Sequence, residues 1–217
     1  MPAHNTLTAT RYVVVEGPIG VGKTSLARRL GAYMDARLLL EEPERNPFLA
    51  RFYRDEEHFG LATQLHFLLQ RIDKVREMPT SEVPEQPVVS DFLLAKDPLF
   101  ALLTLREDEY ALYRRLLEEL APVAPVPDLV VYLQASPDIL IARVRRRALE
   151  MERRISDTYL TVVAESYMKF FHDYDQAPVM VVNSENINFA DNDADFLMLV
   201  KRIETMRGHR EYFNRGE

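Results

Sequence analysis

Eight consecutive residues constrain this chain more than any others. Gly17, Pro18, Ile19, Gly20, Val21, Gly22, Lys23 and Thr24 fit G-x-x-x-x-G-K-[ST] without a gap. The residues before them, Tyr12-Val13-Val14-Val15, are apolar and mostly β-branched, as a buried strand requires. The residues after them place Leu26, Ala27, Leu30 and Met34 at helical spacing. Strand, glycine-rich turn and helix N-terminus together make a cradle for a chain of phosphates. Glycines let the backbone wrap closely, its N–H groups converge, and the helix end adds partial positive charge. Residues 17–25, ending in Ser25, are therefore the expected ATP-binding loop. Lys23 reaches the β- and γ-phosphates, and the Thr24 hydroxyl is a ligand for Mg²⁺.

Further along, short apolar runs alternate with longer helical patterns. Strands are expected at 12–15, 38–40, 87–90, 129–133 and 179–182. Helices are expected near 24–34, 59–77, 92–120, 137–149, 155–174 and 193–206. This alternation predicts an α/β fold of the P-loop type, a five-stranded parallel sheet with helices on both faces. The proline-rich pieces 78–87 and 121–128 read as loops within one domain spanning residues 1–217. Residues 1–10 are expected to be flexible, and the polar C-terminal run from Arg207 to be frayed or used late.

Composition narrows the function. The chain has 217 residues, 47% hydrophobic and 28% charged, an ordinary globular balance. A formal net charge of −7 argues against a nucleic-acid polymer as partner. The chain has no cysteine, its start has no signal-peptide character, and no apolar run is long enough to span a membrane. The expected location is the cytoplasm, with no membrane partner.

Ligands of parallel sheets gather at the carboxyl ends of the strands. The second strand ends in Glu41-Glu42, where a carboxylate can accept a proton from an attacking hydroxyl. The third ends in Asp91, which suits Mg²⁺ or a helix cap. After the fourth come Arg143, Arg145, Arg146, Arg147, Arg153 and Arg154, read as a lid over about 143–154. Their alternative is a solvated face paired with Glu150 and Glu152. The helix near 59–77 has Leu61, Leu65, Leu68, Leu69, Ile72 and Val75 as its apolar face. Gln64 and Arg71, seven residues apart, share another face that pattern alone makes an exposed one. His58 and His66 have no metal-ligand partners at suitable spacing.

Taken in order, "VEGPIGVGKTSLA", "EEPERNPFLARFY", "LATQLHFLLQR", "PVVSDFLLAKDPLFALLTL" and "RVRRRALEMERRISDTYL" resemble the deoxynucleoside kinase family. The likeness is greatest to its bacterial deoxyguanosine and deoxyadenosine kinase branch. The resemblance implies transfer of the ATP γ-phosphoryl to the 5′-hydroxyl of a deoxynucleoside in nucleotide salvage, with Mg²⁺ and ATP bound. It implies Glu41 as catalytic base, with Glu42 as the alternative. It also implies Tyr53 and Glu152 at the sugar, Gln64, Arg71 and Phe100 at the nucleobase, and Arg143 and Arg147 from the lid at the transferring group. It implies a homodimer, for which the apolar stretch 102–120 can supply a face. Three positions depart from the family pattern. Phe92 follows Asp91 where many members have arginine, a charge that Lys96 can partly replace. Leu149 stands at a lid arginine, for which Arg145, Arg146 or Arg153 can compensate. Thr63 stands at a base-stacking aromatic. Two rival functions share the loop: a nucleoside monophosphate kinase of the thymidylate kinase type, and a nucleotide-binding regulatory protein without transfer activity.

Overall fold

The computed structural model describes Leu7, residues 10–78 and residues 86–215. Among these residues six strands form one parallel sheet: β1 (Tyr12–Glu16), β2 (Arg37–Leu39), β3 (Val88–Ser90), β4 (Leu129–Gln134), β5 (Val179–Asn183) and β6 (Arg210–Phe213). Their order is β2-β3-β1-β4-β5-β6: after β1 the chain crosses to the edge strand β2, returns to set β3 between β2 and β1, and then adds β4, β5 and β6 outward on the other side. The carboxyl end of β1 thus lies where the direction of winding reverses, the crevice in which such sheets hold ligands. β1 and β3 are buried at every position, which is why Tyr12–Val15 and Val88-Val89 read as apolar runs, with polar Glu16 and Ser90 only at their carboxyl ends.

The helices are α1 (Lys23–Met34), α2 (Leu49–Phe52), α3 (Glu56–Arg76), α4 (Asp97–Thr104), α5 (Glu107–Leu120), α6 (Pro137–Arg147), α7 (Asp157–Asp173) and α8 (Asp193–Glu204). On one face of the sheet, Leu26 and Leu30 of α1 and Phe196 and Leu199 of α8 pack on Val13, Val15 and Val131. On the other, Val163, Tyr167 and Phe171 of α7 pack on Val14, Val130 and Tyr132.

Four expectations change. The sheet has six strands rather than five, because the polar C-terminal run is not frayed. Residues 210–213 pair in register with β5, Phe213 enters the core, and the Arg210 guanidinium donates to the carbonyls of Phe171 and Tyr174 at 2.6 and 2.5 Å. The helix expected over 92–120 is broken. A 3₁₀ turn at Leu94–Lys96 leads into α4, and extended Leu105 and Arg106 separate α4 from α5. The second start is a capping box in which Glu109 accepts from the Arg106 N–H at 3.1 Å. Leu69 is exposed, whereas Phe67, Gln64 and Arg71 are buried, so α3 presents two inward faces. Leu7 and Thr10 are buried, unlike a flexible N-terminus; the rest of residues 1–9 and most of the 78–87 loop lie outside the described residues. Among the described residues, no helix is long and apolar enough to cross a membrane.

Candidate active site

The loop after β1 has the backbone its sequence demands. Gly20 and Gly22 sit at φ +86° and +105°, where L side chains are strained. A Cβ on Gly20 would stand 2.8 Å from a Val144 methyl, so α6 packs directly against the loop. Lys23 lies in the first turn of α1, and its Nζ donates to the carbonyl of Gly17 at 2.7 Å. Burial holds its ammonium below the usual lysine range.

Beside this loop is a cavity walled by the ends of β1, β2 and β3, the inner faces of α3 and α7, and the segment after α6. Ile19, Gly20, Lys23 and Thr24 form its phosphate-loop side. Glu41, Asp91 and Arg71 line its middle, and Tyr53, Gln64, Phe100, Arg147 and Glu152 complete it. The residues expected at acceptor, base and sugar therefore converge on one space, although they come from five separate parts of the chain.

The two adjacent carboxylates after β2 diverge. Glu42 adopts φ +54° and turns outward, where its carboxylate meets Lys74 at 2.7 Å and Arg45 at 3.4 Å. Glu41 faces inward and accepts from Arg71 Nε at 2.8 Å, while its own N–H donates to Asp91 Oδ1 at 2.8 Å. Burial pushes the Glu41 carboxyl up, but Arg71, Lys96 and Lys23, with the Arg71 hydrogen bond, outweigh that and hold it at about 2. Arg71 is itself shared between Glu41 and Asp97, and the Tyr113 hydroxyl donates to the other Asp97 oxygen. Thr24 Oγ1 donates to Asp91 Oδ2 at 2.6 Å, so the two oxygen groups expected at a cation are adjacent. Burial and the neighbouring Glu41 raise the Asp91 carboxyl above its ordinary range. Asp91 caps no helix; the chain continues through extended Leu93. Among the described residues, no cluster of three or more His, Cys, Asp or Glu forms an all-protein metal cage.

Some expected residues lie elsewhere. Arg143 is outside this cavity: it donates to Ser184 Oγ and to the Ser184 carbonyl, at 3.0 and 2.6 Å. It lines a second groove on the outer side of the loop, with Val21, Gly22, Ser25, Arg146, Asn188 and Phe189. Arg147 touches both spaces and pairs with Glu152, its Nε 3.1 Å from Oε2. Of the three arginines considered for the role of Leu149, Arg145 is paired with Asp157 and Arg153 with Glu150. Arg146 alone of the three lines the outer groove. His58 is exposed and bonded to Asp55. Sequence reasoning missed Phe67, Tyr159 and Tyr167 as walls of the cavity, since aromatic residues at helical spacing read as ordinary core.

The polar residues on α3 are not an exposed face. Gln64 and Arg71 are 4% and 3% accessible, and Gln64 Nε2 donates to Thr104 Oγ1 at 3.2 Å. Thr63 is buried beside them, and its hydroxyl has no hydrogen-bond partner.

Comparison with known proteins gives the chain its relatives. The chain is 26% identical over 200 residues to a deoxyguanosine kinase of Bacillus subtilis, covering 90% of this chain and 97% of the relative. It is 25% identical over 196 residues to a deoxyadenosine kinase of Lactobacillus acidophilus, covering 84% and 89%. Its fold matches the structure of deoxyadenosine kinase from M. mycoides with bound dATP, with a TM-score of 0.74 at 20% identity over 88% of this chain and 98% of that one. Residues 13–206 match the family model described as Deoxynucleoside kinase, a stretch that contains every residue lining the cavity, and this chain belongs to the deoxynucleoside kinase family.

Proposed function

We propose that the protein transfers the γ-phosphoryl group of ATP to the 5′-hydroxyl of a deoxynucleoside, purines favoured, yielding the 5′-monophosphate in nucleotide salvage. The observation that carries this reading is the Glu41 carboxylate, turned inward and oriented by Arg71, on the same cavity as the phosphate loop. A hydroxyl acceptor needs a base at that place, whereas a monophosphate acceptor needs a cation. The thymidylate kinase type of reaction is disfavoured on that ground. The purine preference follows the two relatives named for deoxyguanosine and deoxyadenosine.

In the proposed reaction the triphosphate lies along residues 17–25, with the nucleoside end of ATP in the outer groove beside Arg143, Arg146 and Phe189. Glu41 takes the proton of the 5′-hydroxyl. The 5′-oxygen then bonds the γ-phosphorus while the bond from that phosphorus to the β–γ bridging oxygen breaks, and ADP leaves. The transition state is loose, so most of the protein's work is positioning and charge stabilisation. Lys23 serves the phosphate chain, Tyr53 and Glu152 the sugar, and Gln64, Arg71 and Phe100 the base. Arg147 and, from the far side of the loop, Arg143 serve the lid. The Thr24 hydroxyl and Asp91 carboxylate are hard oxygen donors and fit Mg²⁺, which keeps most of its other ligands from phosphate and water. When bound, that ion neutralises charge on the phosphates.

We also propose a cytoplasmic homodimer. Leu102 on α4 and Leu112 on α5 are exposed, and a second copy would cover them.

A coupled ADP-release assay with ATP, Mg²⁺ and a panel of deoxynucleosides, ribonucleosides and deoxynucleoside monophosphates tests the reading. Turnover of one or two deoxynucleosides, purines foremost, is expected. Turnover confined to monophosphates would replace it with the monophosphate kinase reading. ATP binding without turnover would replace it with the regulatory one.

A further inference from the structure

We infer that Lys96 is a second cation of the transfer site, donating to an oxygen of the phosphoryl group as it passes between ATP and the 5′-hydroxyl. This rests on the phosphoryl-transfer reading above.

The local sequence brings a lysine to an unusual place. Phe92 and Leu93, which follow Asp91, are buried and carry no charge, and the 3₁₀ turn at Leu94–Lys96 then swings Lys96 back. Lys96 is 1% accessible, yet it lines the same cavity as Glu41, Lys23 and Asp91. Lysine is almost never so buried without a partner. Its Nζ lies 2.8 Å from the Tyr167 hydroxyl and 3.2 Å from Glu16 Oε1. It also lies 5.1 Å from the centre of the Tyr167 ring, and Lys23 Nζ lies 6.0 Å from that same centre. The two ammonium groups thus share one aromatic ring, Lys23 from the loop side and Lys96 from the β3 side.

A purely structural role, neutralising the buried Glu16, explains only part of this. Glu16 already accepts from the N–H groups of Gly17 and Leu93, at 3.0 and 2.8 Å, and from the Tyr167 hydroxyl at 3.2 Å. A carboxylate has about four acceptor positions, so it is nearly satisfied before Lys96 is counted. An ammonium has three donors; one goes to Tyr167, Glu16 is an ion pair, and Nζ lies 4.8 Å from the centre of the Phe100 ring, which itself lines the cavity. The other cations of the cavity are engaged: Arg71 by Glu41 and Asp97, and Arg147 by Glu152. Charge in a loose phosphoryl transfer spreads over three equatorial oxygens, so a cation opposite the loop lysine stabilises what Lys23 cannot reach. The contribution is electrostatic, with no proton transferred.

The test compares wild type with Lys96→Met, Lys96→Arg, Glu16→Gln and the double variant Lys96→Met/Glu16→Gln. The double variant leaves no unpaired buried charge, so it keeps the test usable if Lys96→Met alone fails to fold. Steady-state kinetics with ATP and deoxyguanosine or deoxyadenosine are read beside thermal melting. The double variant is expected to fold and to lose about 10²–10³-fold in kcat relative to Glu16→Gln. Its KM values should stay within about threefold, the mark of an interaction made in the transition state. Lys96→Arg should recover at least about tenfold over Lys96→Met, since it restores the charge. If the double variant turns over within about threefold of Glu16→Gln, Lys96 is a counter-ion only and the inference is overturned. Wild type that turns over no deoxynucleoside overturns the underlying reading, and this inference with it.

Discussion

Glu41 and Glu42 offer a sharp test because they are neighbours in sequence and opposites in space. Each is replaced singly by glutamine, which keeps the shape and one acceptor oxygen but cannot take a proton at neutral pH. Glu41 faces the cavity beside Arg71 and Asp91, and its carboxyl is held at about 2, so it is ionised and available as a base throughout the neutral range. General-base catalysis is worth about 10²–10⁴-fold, so Glu41→Gln should lower kcat by that factor, about 3–5 kcal/mol in the barrier. The fold should survive, because Arg71 keeps Asp97 and the amide oxygen of the new side chain. Glu42 is partly exposed and pairs with Lys74 outside the cavity. A pair of that kind contributes roughly 0–1 kcal/mol to stability, so Glu42→Gln should leave kcat within about threefold of wild type and barely move the melting temperature. The assay is ADP release at saturating ATP and deoxynucleoside, with melting curves to separate lost chemistry from lost structure. Near-normal turnover in Glu41→Gln, together with a slow Glu42→Gln, would refute the reasoning and move the base to the outer carboxylate.

Two other expectations bear on specificity and on the helix that carries it. Thr63→Val removes a buried hydroxyl that has no partner, so stability should hold or rise, while kcat/KM among the four deoxynucleosides should shift relative to one another by about 3–10-fold, the value of one hydrogen bond. Equal kcat/KM ratios before and after would show that Thr63 does not read the base. At the start of α3, Asp55 Oδ1 accepts from the His58 N–H at 3.2 Å and lies 2.8 Å from His58 Nδ1. The Asp55 hydrogen bond and charge raise the imidazole above its ordinary value, so this pair stabilises the fold fully below that value and ceases to do so as pH rises through the raised one. Asp55→Ala should therefore lower the melting temperature at all pH values, through loss of the cap, and by more near pH 5.5 than near pH 8.5. A gap that widens as pH rises would contradict the sign.

What could be read from the sequence follows from where the physics is local. The phosphate loop is legible because its strand, glycines, lysine and helix start must be contiguous to work. The strand cores are legible because a parallel sheet buries both faces, and Val13, Val14 and Val15 have no polar alternation to confuse the pattern. β6 was hidden for the opposite reason. It is an edge strand held by its ladder to β5, by Phe213 and by the hold of Arg210 on two carbonyls, so its half-buried positions, Arg210 and Glu211, stay polar. The break before α5 was hidden because Arg106 stands at its cap instead of the usual Ser, Thr, Asp or Asn. The site residues on α3 show the deeper difficulty. Periodicity separates apolar from polar faces, and a face lining a polar cavity carries the same residues as one facing water. Gln64 and Arg71 were therefore unreadable from pattern, and only the resemblance turned them inward. The structure supplies the missing reason: Asp97, Thr104 and Glu41 wait on neighbouring elements to satisfy them. Asp97 and Thr104 bound α4, the short helix that the sequence pattern had merged into a longer one. The break that periodicity missed and the buried polar face that it misread are thus two consequences of one feature, a helix cut short so that both its ends can serve the cavity.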